Sequence, residues 1–239
     1  MVAIPLERTA VVLLASGLSR RYGRRDKLLA NLGGKPLLEH SARVVAGLHA
    51  LTRVAVCPSD RHEIKDRLAS RFVIALNKQP KHGLGHSIAL GAQVALQFKP
   101  DAIIFCMADM PFIEPWLFDA LLAGLTNADI VHSGAPGRVH PPTAFGPACF
   151  DDLRTLDGDD GAKRIIGQGA FKVAAISAPG PVLVDVDTRE ELAYAERQLA
   201  LREQYANPVR PGPPASTGGG FPPPADPIQP RRTMNARPS

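Results

Sequence analysis

Short apolar runs alternate with segments of helical periodicity along most of this chain, and that alternation narrows the choice of fold more than any other feature. A run from Ala10 to Ala15 reads as a buried strand. Pro36 sits where a helix can start, and Leu37, Ser41, Val44, Val45 and Leu48 then recur at helical spacing. Leu51 to Cys57 follows as a strand, Asp60 is placed to cap a helix reaching about Ala69, and Phe72 to Leu76 is a further strand. Next come a helix from Gly85 to Phe98, a strand from Asp101 to Ala108 and a helix from Glu114 to Gly124. A strand from Ala128 to His132 and a stiff turn at Arg138-Val139-His140-Pro141-Pro142 precede short strands near Thr143 to Gly146 and Phe171 to Ile176, and a last helix begins at about Thr188. The pattern predicts an α/β fold with a mostly parallel sheet covered on both faces. Ligands of such sheets gather at the carboxyl ends of the strands.

About 200 residues of this mixed character are enough to bury a substantial core. The chain then changes: proline and glycine dominate from about Asn207, and residues 205–239 are expected to be a disordered tail. From Asn207 onward there are four arginines and one aspartate, against a net charge of +5 for the whole chain. The remainder is therefore only mildly basic, which argues against a dedicated nucleic-acid surface. Cys57, Cys106 and Cys149 lie far apart with no C-x-x-C pair, as suits reduced thiols of a cytoplasmic protein. No segment reaches the roughly 20 apolar residues of a membrane span, and no secretory leader is expected.

The first strand opens into Ala15-Ser16-Gly17, followed by Arg20, Arg21, Arg24, Arg25 and Lys27. Small residues let the backbone bend sharply and bring N–H groups close to an anion, and the cations that follow supply charge for a polyphosphate. Neither G-x-x-x-x-G-K-[ST] nor G-x-G-x-x-G occurs here, so the segment is neither a P-loop nor a Rossmann fingerprint. Taken alone, it also fits a solvated basic surface.

At another strand end, the apolar run through Ala108 stops at Asp109-Met110-Pro111. Proline keeps the strand from continuing, which leaves Asp109 at the lip of the sheet. Magnesium bound to a nucleotide needs only one or two protein carboxylates, so Asp109 suits a metal ligand; capping the next turn is the alternative. In Val184-Asp185-Val186-Asp187, read as the end of a short strand, alternation sends the two acids to opposite faces. A capping box with Glu190 or Glu191 would explain the second acid without any ligand. His82-Gly83-Leu84-Gly85-His86-Ser87 approaches a helix whose first N–H groups can hold a phosphate or a base edge. His82 and His86 have the spacing of a zinc pair, but Gly83 and Gly85 argue against a continuous helix, so zinc is not expected there.

Leu14, Ala15, Ser16, Gly17, Ser19, Arg21, Gly23 and Lys27-Leu28 together resemble L-A-[small]-G-x-S-x-R-x-G-x-x-K-L, the opening signature of the MobA/MocA-like molybdenum-cofactor nucleotidyltransferases. The likeness is strongest to the cytidylyltransferase branch and continues through Leu32-Gly33-Gly34-Lys35-Pro36-Leu37-Leu38. It implies a three-layer Rossmann-like nucleotide-diphospho-sugar transferase fold over residues 1–204. It also implies Mg²⁺-dependent transfer of CMP from CTP to the phosphate of molybdopterin, with pyrophosphate released. The implied catalytic residues are Arg21, Lys27 and Asp109, and the implied nucleotide contacts are Leu14, Ala15, Ser16, Gly17, Lys27, Gly85 and Ser87. The metal would sit on Asp109 and on Asp187, chosen over Asp185 because the similar D-x-D-T-x-E-[DE]-L segment of the family puts its second acid near the metal.

Leu156 to Arg164 resembles the family's L-x-G-D-x-G-A-[RK] loop, and His140, Asp159 and Lys163 are the expected acceptor contacts. Lys163 and Arg164 equally fit a solvated helix face. Arg189 replaces the family's frequent proline, and Ser16 stands where cytidylyltransferases tend to carry alanine and guanylyltransferases glycine, which leaves GTP open as the donor. A sugar or alditol phosphate as acceptor, or a non-catalytic module that delivers the cofactor, are the other readings. The expected protein partner is a client molybdoenzyme of the xanthine dehydrogenase type, with no nucleic acid and no membrane involved.

Overall fold

The computed structural model describes residues 3–18, 22–23, 26–134, 139–178 and 180–206. Strand β1 (Thr9–Leu14) is followed by the short antiparallel pair β2 (Asn31–Leu32) and β3 (Lys35–Pro36), then α1 (Leu37–Gly47), β4 (Thr52–Pro58), α2 (His62–Leu68) and β5 (Val73–Asn77). Next come α3 (Gly83–Ala95), β6 (Ala102–Met107), α4 (Pro115–Gly124), β7 (Ile130–Ser133) and β8 (His140–Phe145). The order ends with α5 (Phe150–Arg154), α6 (Ala162–Gly167), β9 (Val173–Ile176) and α7 (Arg189–Ala206).

The large sheet has the order β5-β4-β1-β6-β8-β7-β9. β5, β4, β1 and β6 pair in parallel, as do β7 and β9, while β8 runs antiparallel to both β6 and β7. Alternation along each strand divides the core between the two faces. Val11 and Leu13 of β1 join Leu38 and Val45 of α1, Ile64 of α2 and Phe118 of α4 on one side. Val12 and Leu14 join Ile88 and Ala92 of α3, Leu153 of α5 and Ile165 of α6 on the other. The result is the three-layer, mostly parallel architecture that the alternation predicts. Gly91 brings α3 close to the sheet, since a Cβ there would lie 2.6 Å from Val12 Cγ1. Burial holds the thiols in their neutral form: Cys57 and Cys149 are pushed up to about 12, and Cys106 higher still.

Four expectations change in the folded chain. α2 begins at His62, with Arg61 rather than Asp60 at its N-cap and no side-chain cap, because a guanidinium carries only donors and cannot accept the first N–H groups of a helix. α3 begins at Gly83, so the glycines open the helix instead of interrupting it. His140, Pro141 and Pro142 belong to β8 and do not form a turn between strands. Proline is tolerated there because β6 pairs only with Thr143 to Phe145 and the β7 register shifts between His132 and Ser133, so no ladder N–H is required of it. Finally, Val184 to Asp187 is irregular chain after a 3₁₀ turn at Gly180–Leu183, so the two-residue alternation expected of Asp185 and Asp187 does not apply. α7 extends to Ala206, and the expected tail beyond it lies outside the described residues, as does Arg138.

Candidate active site

The carboxyl ends of β1 and β6, the start of β8 and the first turn of α3 surround a cleft of about 650 Å³. At its centre is Lys27. The residue opens a short 3₁₀ turn, Lys27–Leu29, fixed by Asp26, whose carboxylate accepts the Leu28 N–H at 3.0 Å. Lys27 Nζ reaches Asp109 Oδ2 at 2.5 Å and Asp187 Oδ1 at 2.6 Å.

Three backbone anchors place Asp109. The Ala108 N–H donates to the Leu14 carbonyl at 3.1 Å, Ser41 Oγ donates to the Ala108 carbonyl at 2.9 Å, and the Val186 N–H donates to the Asp109 carbonyl at 3.1 Å. The last of these draws the 184–187 segment against β6 and brings both Asp185 and Asp187 to the cleft. The expectation that alternation sends these two acids to opposite faces therefore fails: the irregular backbone brings both to the cleft, and it is Asp187 that pairs with Lys27. The capping box also exists, with Glu191 accepting the Asp187 and Thr188 N–H groups and Thr188 Oγ1 accepting the Glu191 N–H. Capping and ion pairing coexist because the Asp187 backbone serves the helix while its side chain serves Lys27.

Burial works against the Lys27 ammonium, yet Asp109 and Asp187 outweigh it and raise the lysine above its ordinary range. Burial also raises the Asp109 carboxyl; Lys27 opposes the shift while Asp185 and Asp187 reinforce it. Both groups therefore hold protons more tightly, Asp109 chiefly because it is buried and Lys27 because two carboxylates face it. Asp109 Oδ1 is buried and has no hydrogen-bond partner among the described residues. A buried carboxylate oxygen of this kind, with two further acids beside it, fits a hard divalent cation such as Mg²⁺, with Asp109, Asp187 and Asp185 as the candidate oxygen donors.

The floor beside β1 is polar and interlocked. Ser16 and Ser87 hydroxyls are 2.7 Å apart, and the buried amide of Asn77 donates to Ser87 Oγ at 3.1 Å and Ser16 Oγ at 3.4 Å. Asn77 escaped the sequence reading, although a polar residue ending an apolar strand at the carboxyl edge is a usable signal. Arg61 escaped it too: Nη1 lies 2.5 Å from Asp26 Oδ2 and Nη2 donates to the Gly17 carbonyl at 2.9 Å, tying the glycine turn to the Lys27 turn.

Of the expected nucleotide contacts, Leu14, Ser16, Gly17, Lys27 and Ser87 line the cleft. Ala15 and Gly85 do not: the Ala15 N–H is bonded to Val56 O at 2.9 Å, and the Gly85 N–H to Gly158 O at 2.8 Å. The expected acceptor contacts His140, Asp159 and Lys163 line the cleft as well. Arg21, with Ser19, Arg20, Arg24 and Arg25, lies outside the described residues.

Residues 11–173, the part of the chain that builds most of this cleft, match the family model described as the MobA-like NTP transferase domain. The chain belongs to the MobA-like NTP transferase family. It is 28% identical to the purine catabolism protein PucB of Bacillus subtilis (strain 168) over 200 residues, covering 79% of this chain and 96% of the relative. It is 27% identical to a molybdenum cofactor guanylyltransferase of Bradyrhizobium sp. (strain ORS 278) over 204 residues, covering 82% and 95%. Among solved structures, the homologue of Mycobacterium tuberculosis Rv0371c from Mycobacterium sp. strain JC1 superposes with a TM-score of 0.69 at 26% identity, covering 80% of this chain and 98% of that one. A MobA-like chain is a nucleotidyltransferase, and nucleotidyltransferases of this fold typically use a divalent metal. Among the described residues, no helix is long and apolar enough to cross a membrane.

Proposed function

We propose that this MobA-like protein transfers CMP from CTP to the terminal phosphate of molybdopterin, in the cytoplasm and with Mg²⁺, releasing pyrophosphate. The observation that carries the reading is the Lys27–Asp109–Asp187 cluster, with its unpartnered buried oxygen, in a cleft of nucleotide size. A phosphate monoester has a second pKa near about 6, so the acceptor is already largely deprotonated at neutral pH and needs no general base. One of its oxygens bonds to the α-phosphorus while the bond from that phosphorus to the bridging oxygen breaks, and pyrophosphate carries away the electron pair. Lys27 and Arg21 would hold the β- and γ-phosphates, so catalysis rests on positioning and charge neutralisation. A divalent ion on Asp109 and Asp187 would neutralise phosphate oxygens as charge shifts onto the leaving group.

For the base, the support is Ser16. Its side chain packs on Ser87 and fills space that glycine would leave open, which favours a pyrimidine over a larger purine. Asn77 and the two hydroxyls offer both donors and acceptors to its edge. His140, Asp159 and Lys163 would take the acceptor. The relation to a purine catabolism protein fits a client that oxidises purines, as enzymes of the xanthine dehydrogenase type do. Residues 1–204 would form the catalytic domain.

Pyrophosphate release from CTP and from GTP, each with Mg²⁺ and molybdopterin, tests all parts together. Release with CTP is the expected result. Release with GTP alone would move the protein to the guanylyl branch, in line with its Bradyrhizobium relative. Release from neither would point to a different acceptor, such as a sugar or alditol phosphate, or to a delivery module.

A further inference from the structure

On the outer side of the α3 N-terminus, away from the Lys27 cluster, three metal-ligating side chains converge. His82 stands at the N-cap of α3, His86 lies in its first turn, and Asp157 approaches from the loop before α6. One ligand atom from each of the three falls within 4.8 Å of the others, and His82 Nδ1 is 3.7 Å from Asp157 Oδ1. Tetrahedral zinc with bonds of about 2.0 to 2.1 Å sets neighbouring ligand atoms about 3.4 Å apart, so small rotations of surface side chains close the site. The three residues also border a cleft of about 190 Å³ that can take a water as fourth ligand.

The backbone beneath these ligands is already locked. The Gly158 N–H donates to the His82 carbonyl at 3.0 Å, and the Gly85 N–H returns a bond to the Gly158 carbonyl at 2.8 Å. Glycine is required for this approach: a Cβ on Gly85 would sit 2.7 Å from the Asp157 carbonyl, and Gly83 combines φ +88° with a similar clash against Gly158. These two bonds hold the loop beside the helix and keep Asp157 within reach of both imidazoles. The glycines that seemed to disfavour a histidine pair are what bring its third ligand close.

We propose that His82, His86 and Asp157 bind one imidazole-preferring divalent transition-metal ion, Zn²⁺ or its analogue Co²⁺, and that the ion clamps the 157–161 loop to α3. Asp159 of that loop lines the main cleft, so the clamp fixes one wall of the acceptor side from outside. The site stands independently of which nucleotide or acceptor the protein uses.

The test uses the full chain, freed of metal by chelation and dialysis, in excess Mg²⁺ so that the carboxylate cluster is occupied. Co²⁺ titration should give one equivalent of binding with the strong visible absorption of a tetrahedral nitrogen–oxygen site, displaced by Zn²⁺. His86→Ala and Asp157→Asn should weaken binding on the order of a hundredfold, because even the outer partners of metal ligands are worth 10–100-fold. Their metal-free circular dichroism and melting should be unchanged. In the unmodified protein, but not in Asp157→Asn, Zn²⁺ should slow hydrogen exchange at the Gly85 and Gly158 amides. Absence of a Co²⁺ spectrum, or a spectrum that survives both substitutions, overturns the site; unchanged exchange on binding overturns the clamp.

Discussion

Lys27 occupies carboxylate oxygens of the kind a divalent ion uses, so its removal should separate metal binding from turnover. In Lys27→Met, Mn²⁺ affinity of the nucleotide-free protein, read by titration calorimetry, should rise at least about tenfold, since a neighbouring unit positive charge is gone. Turnover should nevertheless fall, because the phosphates lose their cation. Asp109→Asn should act differently: metal affinity and turnover both drop, the latter on the order of a hundredfold or more, with the fold intact by circular dichroism. Equal turnover in Asp109→Asn and the parent would remove that residue from the reaction. pH provides a third probe. Asp109 is raised above its ordinary 3.8 by burial and by neighbouring acids, so it takes up its proton at a higher pH than a solvated aspartate and then ceases to bind a cation. The acid limb of kcat/KM should therefore lie above the ordinary aspartate range and move to lower pH as Mg²⁺ is increased. A limb insensitive to Mg²⁺ would assign it to another group.

At the scale of elements, α3 joins the two functions of the fold: its buried face packs on the sheet through Gly91, and its first turn borders the cleft. Gly91→Ala should destabilise the protein by roughly 1–3 kcal/mol in denaturant melts, as overpacking does, although alanine is the better helix former. A gain in stability would mean that the helix can withdraw from Val12 without loss. Elements were also where the sequence was most legible. Apolar runs and helical spacing located most of the strands and helices, because burial on both faces leaves a local signature. What stayed hidden depended on contacts between distant segments. The β8 prolines looked like a turn because the register shift that accommodates them belongs to β7. The 184–187 segment looked like a strand because the bond from Val186 to Asp109 cannot be read from either segment alone. Asn77 and Arg61 join the site only when β5 and α2 are folded against the glycine turn, whereas Lys27 and Asp109 announced themselves through motifs.

For the whole molecule, residues 3–206 supply every described wall of the cleft, and α7 secures the far side through Leu192 and Leu199 against Leu32, Phe112 and Val186. Arg202 adds a contact over the Phe112 ring at 4.8 Å and an ion pair with Glu114 at 3.3 Å. Ending the chain after Ala206 should therefore leave turnover and melting unchanged, whereas ending it before Arg189 should abolish the folded state. A large loss of turnover in the first truncation would give residues 207–239 a role in catalysis.

The reversed direction of β8 makes the cleft modular. Because this strand begins at the rim where its antiparallel neighbours β6 and β7 end, its first residue, His140, reaches the cleft from a segment that contributes nothing to the Lys27 cluster. Substitutions at the start of β8 can therefore reshape the wall at His140 while Lys27, Asp109 and Asp187, carried by other segments, keep their mutual geometry.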